Sequence, residues 1–131
     1  MDTKELTKAT AKKLFDNSAT KPPYYLWKEF DRDLARQLSQ FISANLYART
    51  VLSPAERQLV ACTALATLRS AKELKLHIIG ALNVGCDPRI LAEAFFQIST
   101  YAGMPCVNNA LEVLKEALEE RGEWPLKEIN D

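Results

Sequence analysis

Glu73 and His77 stand four residues apart at the start of an apolar segment that runs to Gly85, and His77 is the only histidine of the chain. On a helix, residues at i and i+4 lie one above the other, so a carboxyl group and an imidazole would share one face. Small Gly80 and Ala81 come next along that face. A face of this kind can bind a small molecule at Gly80 and Ala81 and exchange a proton with it through His77. Two readings of His77 stay open on residue type alone. It can pack on an apolar helix and give one N–H to a carbonyl, or it can work as an acid or base, because burial disfavours the imidazolium and brings proton exchange near neutrality. Glu73 also has two readings. It occupies the third helical position after Ser70, where a carboxylate closes a capping box, and it can orient His77 or hold a proton beside a bound acid.

The elements that must position this pair are helical. Ser53, Pro54 and Glu56 form an N-terminal signature for a helix running to about Arg69, with serine as cap, proline in the first turn and glutamate in the box position. Ser70 and Glu73 repeat the Ser-x-x-Glu pattern and predict a second capping box, for a helix that ends at Gly85. Asp87 and Pro88 start another, striped by Ile90, Leu91, Ala94, Phe95, Ile98 and Ala102 and stopped by Gly103. Pro105 opens the last, with Val107, Leu111, Leu114 and Leu118 on one side. Upstream, Leu34, Leu38, Phe41, Ile42 and Leu46 keep a 3.6-residue spacing over about 31–47. Thr3 to Phe15 reads as a weaker amphipathic helix, and Asn17 to Pro23 as a loop. No segment alternates with period two, so the fold class is all-α, a single domain of about six helices. Residues 1–30 are its N-terminal helix and loop, 31–121 its core and 122–131 a tail.

Composition narrows the partners. The chain has 131 residues, 47% of them hydrophobic, with 4 glycines, and 17 basic residues balance 17 acidic ones. It therefore carries no electrostatic footprint for nucleic acid or an anionic membrane surface. The longest apolar run, Leu59 to Leu68, is about half of what a bilayer crossing needs. Met1 to Leu6 alternates charges without an apolar stretch, so a cytoplasmic protein is expected. Cys62, Cys86 and Cys106 are odd in number and widely spaced, which suits structural thiols in a reducing compartment. One histidine without a nearby acidic cluster is short of ligands for a metal. Tyr24, Tyr25 and Trp27 follow a Pro-Pro turn and either cover a pocket or pack on the core. Asn83 is expected to cap backbone carbonyls. The second half of the Ala71 to Val84 helix is apolar nearly all round and the preceding helix is similarly apolar, so some of this surface is expected to meet a second copy of the chain.

In order and spacing, Leu52 to Val60, Glu73 to His77, Gly80 to Gly85, Tyr101 to Pro105 and Asn109 to Leu111 resemble the carboxymuconolactone decarboxylase family over about 31–118. The resemblance implies an alkylhydroperoxidase-like helical fold, trimers or hexamers, a small-molecule substrate and an active-site role for His77, with Glu73 beside it. The alkylhydroperoxidase branch of that superfamily carries Cys-x-x-Cys-x-x-x-His and a relay glutamate upstream. The matching thiol positions here are Ser70 and Glu73, and the relay position is Gln58. A hydroxyl and a carboxylate form no redox disulfide. The decarboxylase branch lacks those thiols, and its chemistry needs no cofactor: a carboxylate leaves as carbon dioxide, the electrons settle on a conjugated lactone carbonyl, and one proton returns to carbon. Members with that activity tend to carry arginines shortly after the histidine, where Ile78 to Leu82 offers no cation. Arg57 and Arg69 are the candidate substitutes for holding a substrate carboxylate. The alternatives are a redox protein using Cys62, Cys86 or Cys106, and a non-catalytic oligomer that binds a small ligand.

Overall fold

In the computed structural model, which describes residues 2–16 and 21–127, the chain folds into eight α-helices and one π-helical segment. They are α1 (Thr3–Phe15), α2 (Tyr24–Phe30), α3 (Arg32–Ser39), α4 (Pro54–Thr67), α5 (Ala71–Asn83), α6 (Pro88–Gln97), α7 (Ser99–Ala102) and α8 (Met104–Glu120). The π-helical segment, Gln40–Leu46, continues α3. The all-α expectation holds, with a higher helix count for two reasons. The stretch read as one helix over 31–47 changes its hydrogen-bond register after Ser39, and the stretch from Pro88 to Gly103 breaks at Ile98 into α6 and α7. Side-chain spacing does not report either change. Asn17 to Thr20 of the expected loop lie outside the described residues.

Caps set most helix starts. Ser53 Oγ accepts from the Glu56 amide at 3.1 Å and the Glu56 carboxylate accepts from the Ser53 amide at 2.9 Å, the box expected for α4. Asp2 and Glu5 build the same box on α1. Asp31 caps α3 and Asp87 caps α6. The second predicted box is not formed: Ser70 precedes α5 with no side-chain cap bond. The reason lies in the turn before it. Arg69 sits in the left-handed region at φ 56°, and the Ser70 amide donates back to Leu65 at 3.1 Å. That is the closing bond of a Schellman motif on α4. Ser70 thus serves the end of α4, and its own dihedrals depart from N-cap geometry.

Helix α5 is the central element, with α4, α8 and α1 packed around it. Cys62 of α4, Leu74 and Ile78 of α5, Leu91 and Phe95 of α6, and Leu118 of α8 form the fully buried centre. Lys75 pairs with Glu116 at 3.1 Å and Glu120 at 2.6 Å, tying α5 to α8 at the rim. Of the two apolar helices expected to meet a second copy, α5 is therefore largely covered within one chain. The other, α4, keeps Val60 exposed, with Leu68 just past its end, and further exposed apolar side chains are Ile90 and Phe96 of α6, Tyr101 and Met104. Among the described residues no helix is long and apolar enough to cross a membrane. Tyr24, Tyr25 and Trp27 lie on α2, which packs on α3, and Tyr25 is half exposed.

Candidate functional site

His77 sits in the second turn of α5, where α4 runs alongside and supplies its partner. Gln58, 1% exposed, places Oε1 at 2.9 Å from His77 Nδ1. A carbonyl oxygen only accepts, so Nδ1 carries the hydrogen and donates it to Gln58. Nε2 is then the bare nitrogen of the neutral ring, available for proton exchange. Phe15, the last residue of α1, meets the ring edge-on at 5.7 Å and 89°. This half-buried position pushes the His77 pKa down by desolvation of the imidazolium.

One turn on, Gly80 explains how α1 comes so close. A Cβ at this position would stand 3.1 Å from Phe15 Cε1 and 3.5 Å from both Gln58 Oε1 and Leu14 Cδ2. Asn83, one turn further, donates from Nδ2 to the Leu14 carbonyl at 2.7 Å and accepts from Arg121 Nη1 at 2.9 Å. It caps a carbonyl as expected, but one at the end of α1 rather than of its own helix. At Gly80 and Asn83 this face is thus closed by α1. Gly80 touches protein, and Ala81, 0% exposed, belongs to the core. The structure does not bring these two to a ligand-accessible surface, in contrast to the sequence expectation. Gly80→Val is expected to lower stability by about 1–3 kcal/mol through overpacking against Phe15 and Gln58, measured as a fall in the denaturant midpoint.

Glu73 is half-buried and forms no hydrogen bond or ion pair with any described residue. Its capping role falls away with the missing Ser70 box, and it has no hydrogen bond to His77. What remains is an uncommitted carboxylate one turn before the imidazole. Arg69 is occupied elsewhere, with Nε 3.3 Å from Cys106 Sγ. Arg57 lines a cleft that His77 does not line. Its Nη2 donates to the Arg49 carbonyl at 3.2 Å, while Nε is buried with no partner among the described residues.

Arg57 and Gln58 line a half-open cleft of about 480 Å³ between α1 and the start of α4, together with Lys13, Leu14, Tyr47 and Arg49. Gln58 is the wall between this cleft and His77, which does not line it. Burial pushes the Tyr47 phenol pKa up, against the opposing pull of the nearby Arg57 charge and of Gln58. Sequence reasoning named Gln58 only as a relay position lacking its acid. The signal for more was present, since Gln58 is a polar residue on the apolar stripe of Cys62, Leu65 and Ala66. Phe15, Leu14 and Tyr47 carry no comparable signal, because tertiary packing alone brings them here.

Residues 32–116 match the model of the carboxymuconolactone decarboxylase family. The chain belongs to this family. A 4-carboxymuconolactone decarboxylase from Acinetobacter baylyi is 29% identical over 103 residues, which cover 79% of this chain and 77% of that protein. In this chain Gln58 offers His77 an amide oxygen, which accepts from the ring and takes up no proton. Two of the three cysteines, Cys62 and Cys86, sit in surroundings that disfavour a thiolate. All three are buried, and burial, with Cys86 adding to it, pushes the Cys62 thiol pKa up to about 12, while burial and Asp87 raise that of Cys86. Thiolate chemistry needs the opposite environment. Among the described residues, no three His, Cys, Asp or Glu side chains group as a metal site would need.

Proposed function

We propose that this family member is a cofactor-independent carboxy-lyase, or a closely related acid/base enzyme, acting on a small cyclic carboxylic acid or lactone. The observation that carries the reading is the 2.9 Å contact of His77 Nδ1 with the acceptor Gln58 Oε1, which fixes the ring and leaves Nε2 for the substrate. In the reaction the bond from carbon to the departing carboxylate breaks, carbon dioxide leaves, and the electron pair is held as a dienolate on the lactone carbonyl. Protonated His77 then returns one proton from Nε2 to carbon. In this reading Glu73, one turn before His77 on α5, is the partner carboxylate of the site. Assembly into trimers or hexamers belongs to the same reading, with the apolar residues left exposed on α4 and α6 as its surface.

The test is release of carbon dioxide, with loss of ultraviolet absorbance, when the protein meets carboxymuconolactone. Turnover supports the lyase reading. Its absence from folded protein removes the namesake substrate, and its persistence after thiol blocking removes the redox alternative. The pH profile adds a sign. Because desolvation holds the His77 pKa below its usual 6.5, kcat/KM should rise as pH falls and reach its midpoint below that value. A bound carboxylate favours the imidazolium, so the midpoint in kcat should lie higher than in kcat/KM. Stability follows the same linkage. The unfolded chain takes up the proton first, so the contribution of His77 is lost as pH falls from about 6.5 toward the lowered folded value.

A further inference from the structure

The cleft between α1 and the start of α4 has a composition that the histidine chemistry does not use. Lys13, Arg49 and Arg57 bring three cations to it, and no acidic side chain is among its lining residues. Like charges gathered around one cavity repel one another, so the arrangement favours an anion between them. Arg57 sharpens this. Its guanidinium is anchored through Nη2 on the Arg49 carbonyl, and its Nε–H is buried without a partner among the described residues. The guanidinium is thereby held at the cleft wall as a fixed positive charge, and a carboxylate is the anion that such a group pairs with by charge-assisted bonds. The rest of the lining is largely apolar, with Leu6 and Ala9 of α1 on one side and Leu52 and Pro54 on the other.

We propose that this cleft is a binding site for a small organic carboxylate, its charged end on Arg57 between Lys13 and Arg49 and its apolar body along α1. Part of the site comes from α1, which precedes the family segment at 32–116, and the rest from residues within it. The ligand lies on the far side of Gln58 from His77, so its binding needs neither the imidazole nor turnover.

Benzoate and benzamide separate charge from shape, and titration of each against isotope-labelled protein reads the site through the backbone amides of α1 and of 47–58. Benzoate should give saturable shifts there, weakened by added salt, whereas neutral benzamide should give none. The double variant K13Q/R49Q, at two exposed positions, should weaken benzoate about tenfold, at roughly half of that factor's free energy per cation. Arg57→Gln should abolish binding, and the double variant keeps the test valid if the Arg57 variant does not fold. His77→Gln should bind benzoate unchanged, even where it abolishes turnover. Absence of saturable shifts, equal binding of benzamide, inorganic phosphate displacing benzoate at equal concentration, or a double variant of unchanged affinity would each overturn the proposal. Loss of benzoate binding in His77→Gln would do the same by moving the ligand to the histidine side.

Discussion

Protein carrying His77→Gln is expected to lose about 100- to 10,000-fold in kcat, the range that a positioned general acid contributes, while its melting temperature stays within a few degrees of the parent. Glutamine is close to histidine in reach, and its amide can donate to Gln58 Oε1 as Nδ1 does now, so the packing under Phe15 survives. What it cannot do is carry a proton to carbon. If kcat is retained, His77 is a packing residue and the reading falls to a non-catalytic, ligand-binding oligomer or to chemistry elsewhere on the chain. Gln58→Glu gives the complementary result. It replaces an amide acceptor by a carboxylate against the same Nδ1, which stabilises the imidazolium and should move the midpoint of kcat/KM upward. A merely structural Gln58 would change stability and leave that midpoint where it was.

The sequence was most informative where a local rule acts alone. The Ser53 and Glu56 box, Pro54 and Pro88 in first turns, and the 3.6-residue stripe of α8 follow from neighbours in the chain, and the structure has them where they were expected, while of the α6 stripe Leu91 and Phe95 are buried and Ile90 is exposed. His77 and Glu73 were identified as a pair on one face because an i to i+4 relation is also local. The failures share a cause. Ser70 carries a capping pattern, yet the left-handed Arg69 beside it commits that turn to closing α4. Gly80 and Ala81 looked like open space because small residues make room for a ligand or for another helix equally well, and α1 takes the room. Of the two apolar helices expected to meet a second copy, α5 is the centre of a single chain and α4 keeps Val60 exposed. The cleft was invisible because Lys13 is 44 positions from Arg57 in sequence. Periodicity reports which side of a helix is apolar, and leaves open which partner covers it.

Phe95 and its neighbour Phe96 turn that ambiguity into a measurement. Phe95 is 0% exposed and the largest fully buried side chain, set among Leu74, Ile78, Leu91 and Leu118. Phe95→Ala should cost about 3–5 kcal/mol, the transfer term plus the cavity left between α4, α5 and α8. For a chain of this length that is a fall of about 10–20 °C in melting temperature. Phe96 is 50% exposed on the outer side of the same helix, so within one chain its truncation should cost about 1 kcal/mol or less, with the lost area as the only term. The difference holds only while that face is bare. If Phe96→Ala proves nearly as damaging as Phe95→Ala, and the damage grows on dilution, the outer face of α6 is buried between copies, because stability linked to association depends on protomer concentration. A small, concentration-independent effect places any subunit contact away from Phe96.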